Sequence, residues 1–290
     1  MPCLNLSDLE LFAESLADGV KAELYLTPKP GLVDLFDCGS HPDLSLEVMA
    51  QSAAQLREYL AELANAIYRQ QPFSALQAIG QQAEQRMLAE LGSNCHRGGI
   101  FLTGLLLLAY AECGSDAPEI LSNAVALQAQ RYFQQTKMTD SHGQQARNRY
   151  RIGGIISECL NGLPGLFQVA LPSILENQNN LTFGCTMAMA RLMKSCDDTT
   201  SLHRGGQTGL ARLRKAGNEL EKCLLLGIDP APLLRRQNRD FCAANLTMGG
   251  VADLLGLTFG YLNFNIARNN FSVFRQAIML PSGNVSRCSD

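Results

Sequence analysis

Gly92-Ser93-Asn94-Cys95-His96-Arg97-Gly98-Gly99-Ile100-Phe101-Leu102-Thr103-Gly104-Leu105-Leu106-Leu107-Leu108-Ala109-Tyr110-Ala111 decides how this chain is read. The first eight residues are small or polar and carry an imidazole and a guanidinium. The rest is strongly apolar and reads as a buried helix, with a polar site mounted at its mouth. Glycines beside His96 and Arg97 let a ligand or another backbone approach closely. The bland alternative is a glycine-rich turn before a core helix, with both side chains in water.

Outward from that stretch, apolar residues recur at helical spacing. Residues 8–26 carry Leu9, Phe12, Leu16, Val20 and Leu24, with Ser7 placed as a cap. This helix should end before Thr27-Pro28-Lys29-Pro30-Gly31, because two prolines cannot continue its hydrogen bonding. Residues 45–66, 73–91, 115–135, 183–193, 210–226, 233–245 and 251–264 read as further helices. Residues 167–175 and 271–280 add shorter ones, and the end of the chain from 281 is expected to be a flexible tail. Alternating β-branched residues are scarce and no βαβ rhythm appears. The expected fold is therefore all-α, one multi-helix domain over residues 1–280, with glycine-rich loops forming the site.

A net charge of −3 over 290 residues gives no general attraction for nucleic acid, although a local phosphate site remains open. The ten cysteines form no C-x-x-C pair, and no signal peptide is read at the start. Reduced thiols and a cytoplasmic location are the expectation. The longest apolar run is too short to span a bilayer, so no membrane is expected.

Four junctions place carboxylate, histidine or arginine beside glycine: Asp34 to Asp43, Asn94 to Gly99, Glu158 to Gly162, and Asp197 to Gly206. Were they to converge, the carboxylates would suit Mg²⁺ and the cations Lys29, Arg97 and Arg204 would suit phosphate. A second basic cluster, Arg147, Arg149 and Arg151, reads more simply as a solvated connector. There is no Walker A sequence, no dinucleotide fingerprint, no G-x-S-x-G and no H-E-x-x-H. A phosphate-bearing substrate with Mg²⁺ survives this elimination better than hydrolytic zinc chemistry.

These segments, taken together, resemble the triphosphoribosyl-dephospho-coenzyme A synthases that serve citrate lyase and malonate decarboxylase. The resemblance runs through Leu26-Thr27-Pro28-Lys29-Pro30-Gly31-Leu32-Val33-Asp34, then Gly39-Ser40-His41 with Asp43. It continues through Asn94 with His96-Arg97-Gly98, Asp198-Thr199, and Arg204-Gly205-Gly206. It closes on Asn245-Leu246-Thr247-Met248-Gly249-Gly250-Val251-Ala252-Asp253-Leu254-Leu255. The resemblance implies an all-helical, Mg²⁺-dependent transferase. It would join the triphosphoribosyl group of ATP to the ribose 2′-hydroxyl of 3′-dephospho-coenzyme A and release adenine. The product would pass to a transferase that loads an acyl-carrier subunit. Oligomeric state is not legible.

On that resemblance Asp34, His96, Glu158 and Asp198 are the catalytic candidates, and Asp34, Glu84, Glu158 and Asp198 the pool of metal ligands. Lys29, His41, Arg97, Gly98, Arg204, Gly205, Gly206, Gly249 and Gly250 are the nucleotide-binding candidates. Asp253 anchors the last segment or joins the site. Several positions depart from the family pattern. Leu35 and Ile156 stand where arginine is usual, Asp37 where asparagine is usual, and Ser157 where glycine is. Cys95 replaces a threonine, Thr200 an asparagine and Met248 a proline. Arg149 or Arg151 is expected to compensate for the lost arginines, or substrate preference or activity to have changed. A scaffold kept as a nucleotide-binding or protein-interaction module is the alternative.

Overall fold

A computed structural model describes residues 5–135 and 153–269. Helix follows helix through both stretches, with no strand among the described residues. The helices are α1 (Leu6–Tyr25), α2 (Leu46–Tyr68), α3 (Phe73–Leu91), α4 (Arg97–Cys113), α5 (Pro118–Gln135), α6 (Gly154–Leu160), α7 (Leu171–Leu175), α8 (Leu181–Ser195), α9 (Thr199–Leu225), α10 (Ala231–Ala243) and α11 (Gly249–Asn269). A π-helical stretch, Gly165–Ala170, leads into α7. The segment 137–149, Arg151, the helix expected over 271–280 and the tail 281–290 lie outside the described residues.

The α1 stripe of Leu9, Phe12, Leu16, Val20 and Leu24 is buried as the periodicity requires. The cap differs from expectation. Asn5 holds the extended N-cap conformation and its side chain accepts from the Ser7 N–H at 3.1 Å, so Ser7 is already inside the helix. Against α1 lies α11, and here glycine is needed on both sides. A Cβ on Gly19 would stand 2.1 Å from the Gly260 nitrogen, so the two backbones touch. Phe12 and Phe264 fill the space beyond, with ring centroids 4.4 Å apart, and Tyr110 of α4 closes on Phe12 at 4.9 Å. α4 is buried along most of its length, as its composition requires, and packs on α5, α2 and α11.

The 29–44 segment with Gly31 and Gly39 is a loop, but the other candidate glycines are in helix. Gly98 and Gly99 belong to the first turn of α4, and Gly249 and Gly250 to the first turn of α11. Gly205 and Gly206 lie inside α9, which begins at Thr199 and not near residue 210. The Asp198 carboxylate caps this early turn by accepting from the Ser201 N–H at 2.7 Å. Gly206, at φ 60° and ψ −158°, then breaks the helical path, a conformation suited to glycine. No single helix among the described residues is long and apolar enough to cross a membrane.

Candidate functional site

An open cavity of about 1050 Å³ lies where α1, the 29–44 loop, the end of α3 and the starts of α4, α9 and α11 meet. Three of the four polar junctions contribute lining residues; the one containing Glu158 does not. The cavity sits at the upper end of the range for small-molecule sites.

The 29–44 loop is folded by Asp34. One carboxylate oxygen accepts from the Lys29 N–H at 2.8 Å, the other from the Phe36 N–H at 2.7 Å. Asn238 of α10 docks the same loop, accepting from the Gly31 N–H and donating to Asp37. Asp34 therefore shapes a wall of the cavity without lining it. Lys29 does line it, but its ammonium, almost wholly buried, donates to the Glu23 carboxylate at 2.6 Å and to the Glu23 carbonyl at 2.7 Å. Burial raises the Glu23 pKa despite the opposing pull of Lys29.

Arg204 faces the cavity from α9. Its guanidinium donates to the Ser40 carbonyl at 2.6 Å, to the Asn245 side chain at 3.1 Å and to His41 Nδ1 at 3.2 Å. Since Nδ1 accepts, the His41 proton sits on Nε2, which donates to Thr247 Oγ1 at 2.9 Å. Burial and the Arg204 charge lower the His41 pKa, keeping the ring neutral. No carboxylate among the described residues lies within ion-pair distance of Arg204; two loops aim the guanidinium, and Asp43 of the first supports its charge from farther off, against burial.

On the facing side, Arg97 Nε lies 3.3 Å from Glu84, whose same oxygen accepts from Asn94 at 3.2 Å. Burial raises the Glu84 pKa against these two partners. His96, at the N-cap of α4, is 5% exposed and lines the cavity, with Nδ1 2.5 Å from Ser52 Oγ. Burial, helped by Lys29, lowers its pKa to about 4, so the ring is neutral at pH 7.

Asp253 of α11 completes the floor. Its carboxylate lies over Gly98, where a Cβ would be 1.9 Å from Oδ2, and it accepts from the Gly99 N–H. Burial, together with the Glu23 and Asp198 carboxylates, raises its pKa well above the usual range. Gly98 is thus required by a carboxylate's close approach. Gly249 and Gly250 are packed less tightly, a Cβ standing 3.1 Å from Thr200 and 3.0 Å from Asp198. Gly205 faces Leu246, and of these glycines Gly98 and Gly249 line the cavity.

Asp198 and Glu158 stand behind the wall. Asp198 is fully buried and accepts from Thr200 Oγ1, the Ser201 N–H and the Val251 N–H, which locks the start of α9 to the start of α11. Glu158 accepts from the Gly165 N–H at 2.6 Å and so fixes the entry to the π-helical stretch. The candidate set Asp34, Glu84, Glu158 and Asp198 does not come together as a cation cage, and no group of three metal-donor side chains occurs among the described residues. Of that set only Glu84 lines the cavity.

Glu23, Asp253, Ser52 and Thr247 complete the site around these candidates. Glu23 had a legible signal, an acidic residue three positions after Val20 on the apolar stripe of α1. Ser52 had none, since it is one small polar residue on an apolar helix face.

Residues 10–266 match a family model described as CitG: ATP:dephospho-CoA triphosphoribosyl transferase. A probable 2-(5''-triphosphoribosyl)-3'-dephosphocoenzyme-A synthase of Azotobacter vinelandii is 34% identical over 267 residues, covering 86% of this chain and 89% of the relative. A protein of the same description from Pseudomonas aeruginosa is 33% identical over 267 residues, covering 85% and 88%. The 2-(5''-triphosphoribosyl)-3'-dephosphocoenzyme-A synthase of Klebsiella pneumoniae is 32% identical over 249 residues, covering 81% and 88%. No solved structure matches the chain.

Proposed function

Because the chain belongs to the ATP:dephospho-CoA triphosphoribosyl transferase family, we propose that it transfers the triphosphoribosyl group of ATP to the ribose 2′-hydroxyl of 3′-dephospho-coenzyme A, releasing adenine. The observation that carries this reading is the cavity itself. Segments far apart in sequence line it, and Arg204 lines it held by neutral acceptors, with no carboxylate among the described residues at ion-pair distance.

In this reading Arg204 and Arg97 hold the triphosphate from two sides, and three acceptors at Arg204 fix the direction of its charge. Asp253, its carboxyl kept protonated by burial and neighbouring carboxylates, donates to the departing adenine. Glu23, on the cavity lining, would stabilise positive charge growing on the ribose.

Mg²⁺ held mainly by phosphate needs only one or two protein carboxylates, and Glu84 on the cavity wall fits that demand. When bound, the ion would neutralise triphosphate charge and fix its orientation. The remaining proposals are a cytoplasmic location and passage of the product to the transferase that loads an acyl-carrier subunit.

The test incubates purified protein with ATP, 3′-dephospho-coenzyme A and Mg²⁺. Free adenine and an adduct carrying the intact triphosphate are expected by mass spectrometry. Folded protein that releases no adenine with any divalent metal overturns the reading.

A further inference from the structure

The Ser52 hydroxyl lies at a junction of three helices with one hydrogen to donate. Its Oγ stands 3.1 Å from Met87 Sδ of α3 and 2.5 Å from His96 Nδ1, and Ser52 is fully buried on α2. A thioether sulfur can only accept. If Ser52 donates to Met87, its oxygen is left to accept an Nδ1–H from His96, and both contacts are hydrogen bonds. If Ser52 donates to His96 instead, Met87 has no donor. Only the first arrangement makes hydrogen bonds of both contacts, and it places the imidazole proton on Nδ1.

The other ring nitrogen then carries a lone pair. Nε2 has no partner among the described hydrogen bonds, yet it is not among the buried polar atoms left unpaired. With His96 on the cavity lining, Nε2 opens into the cavity.

We infer that Ser52, oriented by Met87, is a positioning residue that keeps the His96 proton on Nδ1, so that Nε2 is the base for the acceptor hydroxyl. The base role rests on the proposed transfer; the tautomer does not. Nε2 takes the hydroxyl proton as oxygen bonds to C1′ of the ATP ribose. The C1′–N9 bond breaks with its electron pair leaving on adenine, which takes up a proton from Asp253. Nε2 returns its proton through solvent and Asp253 is reprotonated, so the step balances. The charged groups around the ring are Lys29 and Glu23, paired with each other, and Asp253 across Gly99. Lys29 and burial both disfavour imidazolium, which leaves the base in its working form at neutral pH.

The experiment uses the full chain labelled with ¹⁵N-histidine, with His96→Gln to assign the ring among the four histidines. At pH 7, long-range ¹H–¹⁵N spectra should show a protonated Nδ1 and a bare Nε2. Met87→Leu keeps volume and removes the acceptor. It should free Ser52 to donate to Nδ1 and raise the Nε2–H population, with kcat falling roughly tenfold or more and KM little changed. Ser52→Ala should also mix the tautomers. A wild-type ring protonated on Nε2, or a Met87→Leu protein with unchanged tautomer and kcat, overturns the assignment. A bare Nε2 in protein that never releases adenine overturns the transfer reading and leaves the tautomer standing.

Discussion

Lys29→Met separates a phosphate-binding lysine from a structural one. The ammonium and the Glu23 carboxylate are 2.6 Å apart with side-chain exposures of 1% and 6%. Removing one member of such a pair leaves a buried charge, a change that typically costs about 3–5 kcal/mol. For a chain of this size that corresponds to a fall in Tm of about 6–20 °C. The pH dependence follows from Glu23. Its folded pKa is raised, so its contribution is fully present below the unfolded value and is lost as pH rises through the folded one. Without Lys29 that pKa rises further, so the gap between variant and wild type should widen from pH 5 to pH 8. Glu23→Gln combined with Lys29→Met should recover most of the loss, because no charge is then buried alone. Urea and thermal unfolding followed by circular dichroism supply the readout. The reasoning fails if Lys29→Met loses less than about 1 kcal/mol, shows no pH trend, and instead weakens only ATP binding.

Three further outcomes follow from the same geometry. Gly19→Ala must push α1 and α11 apart by roughly 1.3 Å to bring its Cβ to ordinary contact with Gly260, and overpacking of this kind costs about 3 kcal/mol or more; thermal melting near the wild-type value would refute it. Arg204→Lys keeps the charge but cannot reproduce the fork that holds Ser40, Asn245 and His41. Its KM for ATP should rise about tenfold or more, the loss of one charge-assisted bond, in an adenine-release assay. Asp253→Asn removes a carboxylate with a raised folded pKa, whose contribution to stability fades as pH climbs above the ordinary aspartate value. The variant should therefore gain on wild type between pH 5 and pH 8 in urea midpoint, and equal slopes would count against a buried, charge-crowded Asp253.

The helices were legible because their buried faces repeat at 3.6 residues. The stretch read as 73–91 matches α3 at both ends, and the apolar run after Gly99 is the buried body of α4. What sequence could not resolve was the job of a carboxylate next to a glycine at a helix mouth. That pattern suits ligand binding, but it is also how a helix start is capped. Asp198 and Glu158 prove to be such caps and Asp34 a loop brace, each with its oxygens engaged by backbone N–H groups. Glu23 and Asp253 reach the cavity from helix interiors, where spacing alone marks them only as misplaced charges on apolar faces. Ser52 and Met87 meet His96 across three helices, a relation that no local pattern encodes.

The departures from the family pattern gain physical meaning from the same distinction. Leu35 is 51% exposed on the loop tip and does not line the cavity, so the substituted side chain takes no space in it. Thr200 does line the cavity, and its hydroxyl donates to Asp198 while accepting from the Gly249 N–H, two bonds that tie α9 to α11. Met248 is fully buried at the start of α11, where it fills core and leaves the helix start open to that N–H bond. Ile156 lies on α6 outside the cavity, and Glu158, two residues on, keeps its bond to Gly165. Arg149 and Arg151, the expected compensation, fall outside the described residues. Of the departures Cys95 and Thr200 line the cavity, Thr200 retaining a donor and an acceptor, while Asp37 holds the 29–44 loop to Asn238. On the proposed transfer the chemistry falls to Arg204, His96, Glu23 and Asp253, none of which is an altered position.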